Sequence, residues 1–183
     1  MPDLSSNSRK TLLHLAREAI RLYLEKRDSL PNPSDDPALA VKAGCFVTLH
    51  KHGALRGCVG TFESNRPLSE NVIRMATAAA FQDTRFPPVD KSELNSIRIE
   101  ISILGALKKM ESISDLVLGT HGVYVKYGWR SGTFLPQVAV EQKWSKEEFI
   151  TWCAREKAGL KPAECAKAEV YIYEVEKFGE EEA

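Results

Sequence analysis

The chain has 183 residues and a mass of 20.4 kDa, which suits one domain with a substantial buried core. Lys plus Arg and Asp plus Glu both number 25, so the formal net charge is zero and no global field attracts nucleic acid or an anionic membrane. Hydrophobic residues make up 43% and charged residues 27% of the chain, proportions that argue against a disordered protein.

Targeting signals and cysteines indicate the compartment. No apolar run reaches the about 18 residues that a membrane helix needs, and residues 1–6 lack the pattern of a secretory signal, so we expect a cytoplasmic protein. The cysteines are widely spaced and form no Cys-x-x-Cys motif, and we expect them to be reduced. We expect one domain over residues 1–183, with frayed tails at 1–7 and 179–183. The cysteines are Cys45, Cys58, Cys153 and Cys165.

The first predicted element is an amphipathic helix over residues 8–27, where apolar residues recur at intervals of three and four. Three prolines within residues 30–37 remove backbone donors and predict a surface loop. Two strands follow, at residues 45–49 and 55–62, and Gly53 between them predicts a tight hairpin.

The second strand of this hairpin carries two glycines and an arginine around a cysteine. Gly57 and Gly60 weaken a strand interior, which indicates that another group approaches the backbone closely or that the strand bends. Arg56 and Cys58 share a face if the strand is regular, and the guanidinium would then stabilise a thiolate. A buried cysteine that only fills space is the more common case, so both interpretations stay open.

His50 and His52 form a His-x-His pair that could chelate a metal ion, with Cys58 as a third ligand. No carboxylate completes a recognisable spacing, and the pair lies at the predicted hairpin tip. We therefore predict neither a metal site nor a cofactor.

The middle of the chain predicts a helix and a strand. The helix, at residues 69–83, is rich in alanine, which permits close packing. Asp83 and Arg85 at its end form either a mutual ion pair, which we favour, or an anion-binding site. The strand, at residues 98–104, places isoleucines on one face and Glu100 on a polar face that can line a cleft.

A second hairpin is predicted over residues 123–135. His121 lies in the loop before it, where an imidazole either acts as an acid or base or only hydrogen-bonds the loop. Pro136 predicts a bulge or strand end that presents Gln137. The three tryptophans are expected to pack in the core or in a lid, because no basic residues interleave them.

The last predicted elements are a helix and a strand. A capping box of Ser145 and Glu148 starts the helix, which stops at Gly159, and the strand covers residues 170–175. Hairpins dominate the whole pattern. We therefore predict an α+β fold with a mixed or largely antiparallel sheet and flanking helices.

Several of these segments together form a recognisable series that spans nearly residues 8–178. They are Leu55-Arg56-Gly57-Cys58-Val59-Gly60-Thr61, Asp83-Thr84-Arg85-Phe86, Ile99-Glu100-Ile101-Ser102, His121-Gly122-Val123, Leu135-Pro136-Gln137-Val138-Ala139 with Glu141, Trp144, and Lys157-Ala158-Gly159-Leu160. In content and order they resemble the AMMECR-type domain family, named after the AMME syndrome candidate-gene product.

The resemblance implies a larger and a smaller lobe, with the motif residues around a cleft between them. It implies no established activity. Members of the family are associated with Memo-type proteins, which resemble metal-dependent dioxygenases, and with radical S-adenosylmethionine enzymes. These proteins are the partners that the resemblance suggests.

Two hypotheses remain open, and the sequence does not decide whether the chain is an enzyme. The hypothesis that we favour is an enzyme or enzyme-like subunit with a site at Cys58 and Arg56, and the alternative is a binding or regulatory module. In the first, Cys58 is a nucleophile or redox group, Arg56 lowers its pKa or binds an anionic substrate, and His121 moves protons. In the second, the cleft binds a peptide, a small ligand or a partner protein without chemistry; the balanced charge disfavours nucleic acid. The predicted ligand-binding residues are Gly57, Gly60, Arg85, Glu100, Gln137 and Glu141.

Overall fold

The computed structural model describes residues 4–26, 31, 36–62 and 65–180. The chain divides into two compact units. The first unit comprises Met1–Leu104 with Glu176–Ala183, and the second unit comprises Gly105–Val175. The last strand of the chain therefore contributes residues to both units.

Two helices form one layer of the first unit, α1 (Ser6–Leu24) and α2 (Leu68–Phe81). Ser5 caps α1, because its side chain accepts a hydrogen bond from the backbone N–H of Ser8 at 3.1 Å. The buried residues of α1 recur on one side, as the sequence predicts. They include Leu12, Ala16 and Ile20.

The sheet of the first unit is built around β1 (Cys45–Lys51), which pairs antiparallel with both β2 (Ala54–Thr61) and β3 (Ile97–Leu104). The strand order is β2-β1-β3, followed by the last strand, β7 (Glu169–Gly179). Strand β2 is therefore the edge. The predicted hairpin turn is confirmed: His52 and Gly53 have φ angles of 52° and 78°, the positive values that a two-residue type I′ turn requires.

The isoleucines of β3 confirm the predicted alternation. Ile97, Ile99, Ile101 and Ile103 are at most 1% exposed and pack in one core with residues of α1 and α2. Because side chains alternate along a strand, Arg98 and Glu100 lie on the opposite side. We call the side of the β1, β2 and β3 sheet that points away from α1 and α2 the outer face.

The second unit contains β4 (Lys108–Lys109), β5 (His121–Tyr127), β6 (Arg130–Phe134) and residues 169–175 of β7. Strand β5 pairs antiparallel with β6 and β7, and β4 also pairs with β7. The helices are α3 (Pro136–Gln142), α4 (Lys146–Trp152) and α5 (Pro162–Cys165), with a π-helical turn at Cys153–Lys157.

The core of the second unit lies between this sheet and α4. Phe149 of α4 and Val123 and Val125 of β5 have no exposed surface. The predicted capping box of α4 is confirmed, because Ser145 Oγ accepts from the Glu148 N–H at 3.2 Å and Glu148 Oε2 accepts from the Ser145 N–H at 2.8 Å.

Pro136 starts a helix that is not among the elements predicted from the sequence. Strand β6 ends at Phe134, and Pro136 is the first residue of α3, so the predicted bulge is absent and the predicted strand end is confirmed. Proline suits this position, because the first helical N–H has no partner within the helix.

The prediction of frayed tails is wrong for the residues next to the termini. Leu4 is 3% exposed, and the carboxylate of Glu180 accepts hydrogen bonds from Arg17 and from the backbone N–H of Ile99. Residues 1–3 and 181–183 lie outside the described residues. So do residues 30 and 32–35 of the predicted loop.

The tryptophans differ among themselves. Trp129 is 92% exposed at the turn between β5 and β6, so the prediction that it packs in a core or lid is wrong. Trp144 and Trp152 stack on each other with ring centroids 5.9 Å apart.

The predicted fold class is confirmed, since helices flank a largely antiparallel sheet. The cleft between two lobes stays a prediction. Of the helices in the described part of the chain, none has the length and apolar character that crossing a bilayer requires.

Candidate functional site

Cys58 lies in a row of side chains that crosses three strands of the first unit. Cys58 of β2 is paired with Thr48 of β1, which is paired with Glu100 of β3. Thr48 alternates with buried Val47 and Leu49, so this row lies on the outer face. The hydroxyl of Thr48 donates to the Sγ of Cys58 at 3.3 Å.

A β-bulge separates Arg56 from Cys58. Leu49 pairs with Gly57 and His50 pairs with Leu55, so Arg56 is an extra residue without a partner on β1. A bulge redirects the side chain that it carries. The prediction that Arg56 and Cys58 share a face requires a regular strand and is wrong here.

Arg56 instead joins an ion cluster beside the end of the sheet. Its Nε and Nη2 donate to the two carboxylate oxygens of Glu93 at 3.1 and 2.8 Å, and Lys51 Nζ donates to the same carboxylate at 2.8 Å. The side chains of Arg56 and Glu93 are only 12% and 11% exposed. Hydrogen bonds from Arg56 and Lys51 lower the pKa of Glu93 to about 2. The guanidinium of Arg56 is thus paired with a carboxylate and not with the thiol.

Asp83 and Arg85 bind the backbone of Cys58 along the free edge of β2. Asp83 Oδ2 accepts from the Cys58 N–H at 2.9 Å, and Arg85 Nη2 donates to the Cys58 carbonyl at 3.1 Å. The two side chains form the ion pair that the sequence analysis favours, with Nε to Oδ1 at 2.9 Å and Nη2 to Oδ2 at 2.7 Å. These bonds hold the pKa of Asp83 well below its usual range.

Burial and the neighbouring groups together set the pKa of the Cys58 thiol. Burial raises the pKa of the thiol above its ordinary value, and the carboxylates of Asp83 and Glu100 raise it further. The hydrogen bond from Thr48 and the charge of Arg85 lower the pKa, but burial is the largest influence. The nearby cation that favours a thiolate is thus Arg85, not Arg56.

The two glycines beside Cys58 are explained by packing. A Cβ atom on Gly57 would lie 2.2 Å from the backbone oxygen of Ala79 in α2, and one on Gly60 would lie 2.2 Å from the ring of Phe46. The predicted close approach is therefore real. The approaching groups are a helix and an aromatic ring of the same unit, so neither glycine needs a ligand to explain it.

Two further charged residues lie on the outer face. Glu100 Oε2 forms an ion pair with Lys177 Nζ at 3.1 Å. Arg98, two residues before Glu100, pairs with His50 in the β1–β3 ladder, and its side chain forms no hydrogen bond or ion pair with any described residue.

The remaining predicted site residues belong to the second unit. His121 is the first residue of β5, and its Nδ1 accepts from the backbone N–H of Val117 at 3.1 Å, which matches the loop-bonding alternative for this histidine. Gln137 and Glu141 lie on α3, where Gln137 is half-buried and Glu141 is exposed.

The structure therefore gathers Cys58, Arg85 and Glu100 in the first unit. Two contacts were not predicted from the sequence: Thr48 as a neighbour of the thiol and Glu93 as the partner of Arg56. Only the hairpin register could have indicated Thr48, and no local signal indicates Glu93. Within the described residues, no three His, Cys, Asp or Glu side chains are arranged to hold a metal ion.

Comparison with known proteins covers most of the chain. A protein of Methanopyrus kandleri is 41% identical in an alignment 185 positions long that covers 93% of this chain and 87% of that protein. A protein of Methanothermobacter thermautotrophicus is 39% identical, and the match covers 97% of both chains. The crystal structure of an uncharacterized protein from Pyrococcus horikoshii matches with a TM-score of 0.85 and 37% identity, over 93% of this chain and 90% of that one. The profile of the AMMECR1 family matches residues 13–178, and the chain belongs to that family.

Proposed function

We propose that the chain is a non-catalytic binding protein that recognises an acidic group on a partner through the outer face around Cys58. The observation that carries the proposal is the pairing of both guanidinium groups near Cys58, because Arg56 is bound to Glu93 and Arg85 is bound to Asp83. Burial raises the pKa of Cys58, so the thiol is protonated at neutral pH and is a poor nucleophile.

The cations near Cys58 support this assignment. A reactive cysteine usually has an unpaired positive charge close to its sulfur. Here Arg85 is held by Asp83, and Arg56 is held by Glu93. Each guanidinium therefore has its charge balanced by a carboxylate, which weakens its effect on the thiol.

The charges on the outer face favour an anionic ligand. Lys177 balances Glu100, whereas the guanidinium of Arg98 has no partner among the described residues, and Arg98 lies about 7 Å along β3 from Glu100. An unpaired guanidinium binds carboxylate or phosphate with two parallel hydrogen bonds. We infer that the ligand is a peptide, a small molecule or a partner protein that presents such a group to Arg98.

The family resemblance gives this binding protein a context. It suggests Memo-type proteins and radical S-adenosylmethionine enzymes as partners in the cytoplasm. Gln137 and Glu141, on α3 of the second unit, are proposed as further ligand contacts.

A thiol enzyme is the second candidate, and one observation favours it. The Thr48 hydroxyl donates to the sulfur, and Arg85 adds a favourable charge, so two of the neighbours of Cys58 lower its pKa. In this alternative Cys58 is the nucleophile or redox group, Glu100 and Gln137 orient the ligand, and His121 transfers protons.

Alkylation of Cys58 as a function of pH separates the two candidates. We expect the rate to reach half of its maximum above about pH 8.5, the value for an ordinary thiol, because burial disfavours the thiolate. The measurement is peptide-resolved mass spectrometry of the full chain treated with a mild alkylating agent. Cys45 is the internal control, since burial raises its pKa to about 12. A plateau below about pH 7.5 would support the enzyme.

Mixing experiments with purified partners test the binding function itself. We expect a Memo-type or radical S-adenosylmethionine protein from the same genome to comigrate with the wild-type chain in size-exclusion chromatography. Arg98→Ala should weaken this complex about tenfold, as expected for a lost charge-assisted hydrogen bond. Lys10→Ala is the matched control, because it removes an exposed cation from α1 on the other side of the sheet. Equal weakening by both variants, or no complex at all, contradicts the proposal.

A further inference from the structure

The edge strand β2 lacks most of the features that protect a free edge. Natural edge strands avoid pairing with other chains through charged residues, prolines, bulges or a covering segment. Strand β2 has a charge and a bulge only at Arg56. Residues 57–61, which follow, are uncharged and contain no proline. This stretch would pair readily if its outward backbone groups were free.

The outward backbone groups of Cys58 are not free. Its N–H and carbonyl point away from β1, at 2.9 Å from Asp83 Oδ2 and 3.1 Å from Arg85 Nη2. One acceptor and one donor thus occupy the positions that the carbonyl and N–H of a neighbouring antiparallel strand would take.

The pair that makes these contacts is held rigidly. Asp83 is 6% exposed and also accepts from the backbone N–H of Arg85 at 3.2 Å, which fixes the turn after α2. Arg85 donates hydrogen bonds from Nε and Nη2 to the two carboxylate oxygens of Asp83. Both side chains are therefore ordered in the geometry that satisfies Cys58.

We propose that Asp83 and Arg85 close the edge of the sheet by replacing a neighbouring strand, and that without them the chain pairs through β2 with a second copy of itself. An edge strand is its own partner in an antiparallel pair, because a two-fold axis brings identical edges together. The formal net charge of zero provides no overall repulsion between copies.

The test removes the pair and measures self-association. Asp83→Ala combined with Arg85→Ala keeps the net charge and leaves the N–H and carbonyl of Cys58 without partners. We expect this double variant to dimerise at least about tenfold more tightly than the wild type in sedimentation equilibrium. The matched control is Lys109→Ala with Glu169→Ala, which removes an exposed ion pair from the second unit at equal charge and should leave association unchanged.

Amide hydrogen exchange locates the contact. In the double variant the Cys58 amide should exchange faster than in the wild type at low concentration, and should regain protection as dimers form. If the double variant fails to fold, Arg85→Ala alone replaces it, because the Arg85 side chain is 53% exposed. This single variant should show the same increase in dimerisation and the same change in Cys58 amide exchange, both smaller in size. A folded variant that stays monomeric overturns the proposal. So does a dimer in which the Cys58 amide gains no protection.

Discussion

Replacing Gly57 with alanine is expected to lower the free energy of unfolding by about 3 kcal/mol, near the upper end of the cost of overpacking a core. The new Cβ would lie 2.2 Å from the backbone oxygen of Ala79. Since that oxygen belongs to the main chain of α2, no side-chain rotation can relieve the contact. Either β2 or α2 must move, and both belong to a close-packed core.

Chemical denaturation of both variants and the wild type measures this difference. Gly53→Ala in the turn of the same hairpin is the matched control. Its Cβ would meet nothing within 4 Å, so the only cost is a φ of 78°, about 1 kcal/mol for a residue with a side chain. Equal destabilisation by the two substitutions would show that Gly57 is not required by the approach of α2.

Packing also predicts a ranking of the two glycines beside Cys58. The atoms that would oppose a Cβ on Gly60 belong to the ring of Phe46, and a side chain can change its rotamer. Gly60→Ala should therefore cost less than Gly57→Ala. If the glycines instead served a ligand, their effects on stability would be small and similar.

Elements set by local patterns could be predicted from the sequence. The isoleucines of β3 alternate with polar residues, so the strand and its buried face follow directly. Gly53 indicates the turn, and the capping box of Ser145 and Glu148 marks the start of α4. Each of these signals lies within a few residues of the structure that it predicts.

The register around Cys58 could not be predicted in the same way. A regular hairpin with its turn at residues 52–53 would pair Cys58 with Val47, on the helix side. The bulge at Arg56 shifts the register by one and pairs Cys58 with Thr48 instead. A one-residue shift moves a side chain to the other side of the sheet, so this single feature decides which residues surround the thiol.

Contacts between residues far apart in the chain could not be predicted from the sequence either. Glu93 lies 37 residues from Arg56, and no periodicity joins the two. The sequence predicts an ion pair of Asp83 and Arg85, but their bonds to the Cys58 backbone depend on how the end of α2 meets the edge of β2. The tertiary arrangement, not local preference, selects these contacts.

The contact between Arg17 and Glu180 joins residues 163 positions apart, and its loss should have the second-largest effect on stability. Arg17 of α1 donates from Nε to Glu180 Oε1 at 2.7 Å, from Nη1 to the Leu94 carbonyl at 2.7 Å and from Nη2 to the Ile97 carbonyl at 2.8 Å. We expect Arg17→Ala to lower the free energy of unfolding by about 2 kcal/mol, because partly buried acceptors lose a charged donor.

Arg21→Ala on the same helix is the control for this substitution. Among the described residues, Arg21 forms ion pairs only with Glu18 and Glu25 of its own segment, so its loss should change stability little. Denaturation compares the two variants, and amide exchange of Ile99, whose N–H is bound by Glu180, reports the contact directly. Similar stability of both variants would contradict the expectation that Arg17 stabilises the fold through its contact with Glu180. Glu180 comes three residues after Lys177, which forms the ion pair with Glu100 on the outer face. Faster exchange at Ile99 in Arg17→Ala would therefore also show that Arg17 of α1 helps to hold the end of β7 in place.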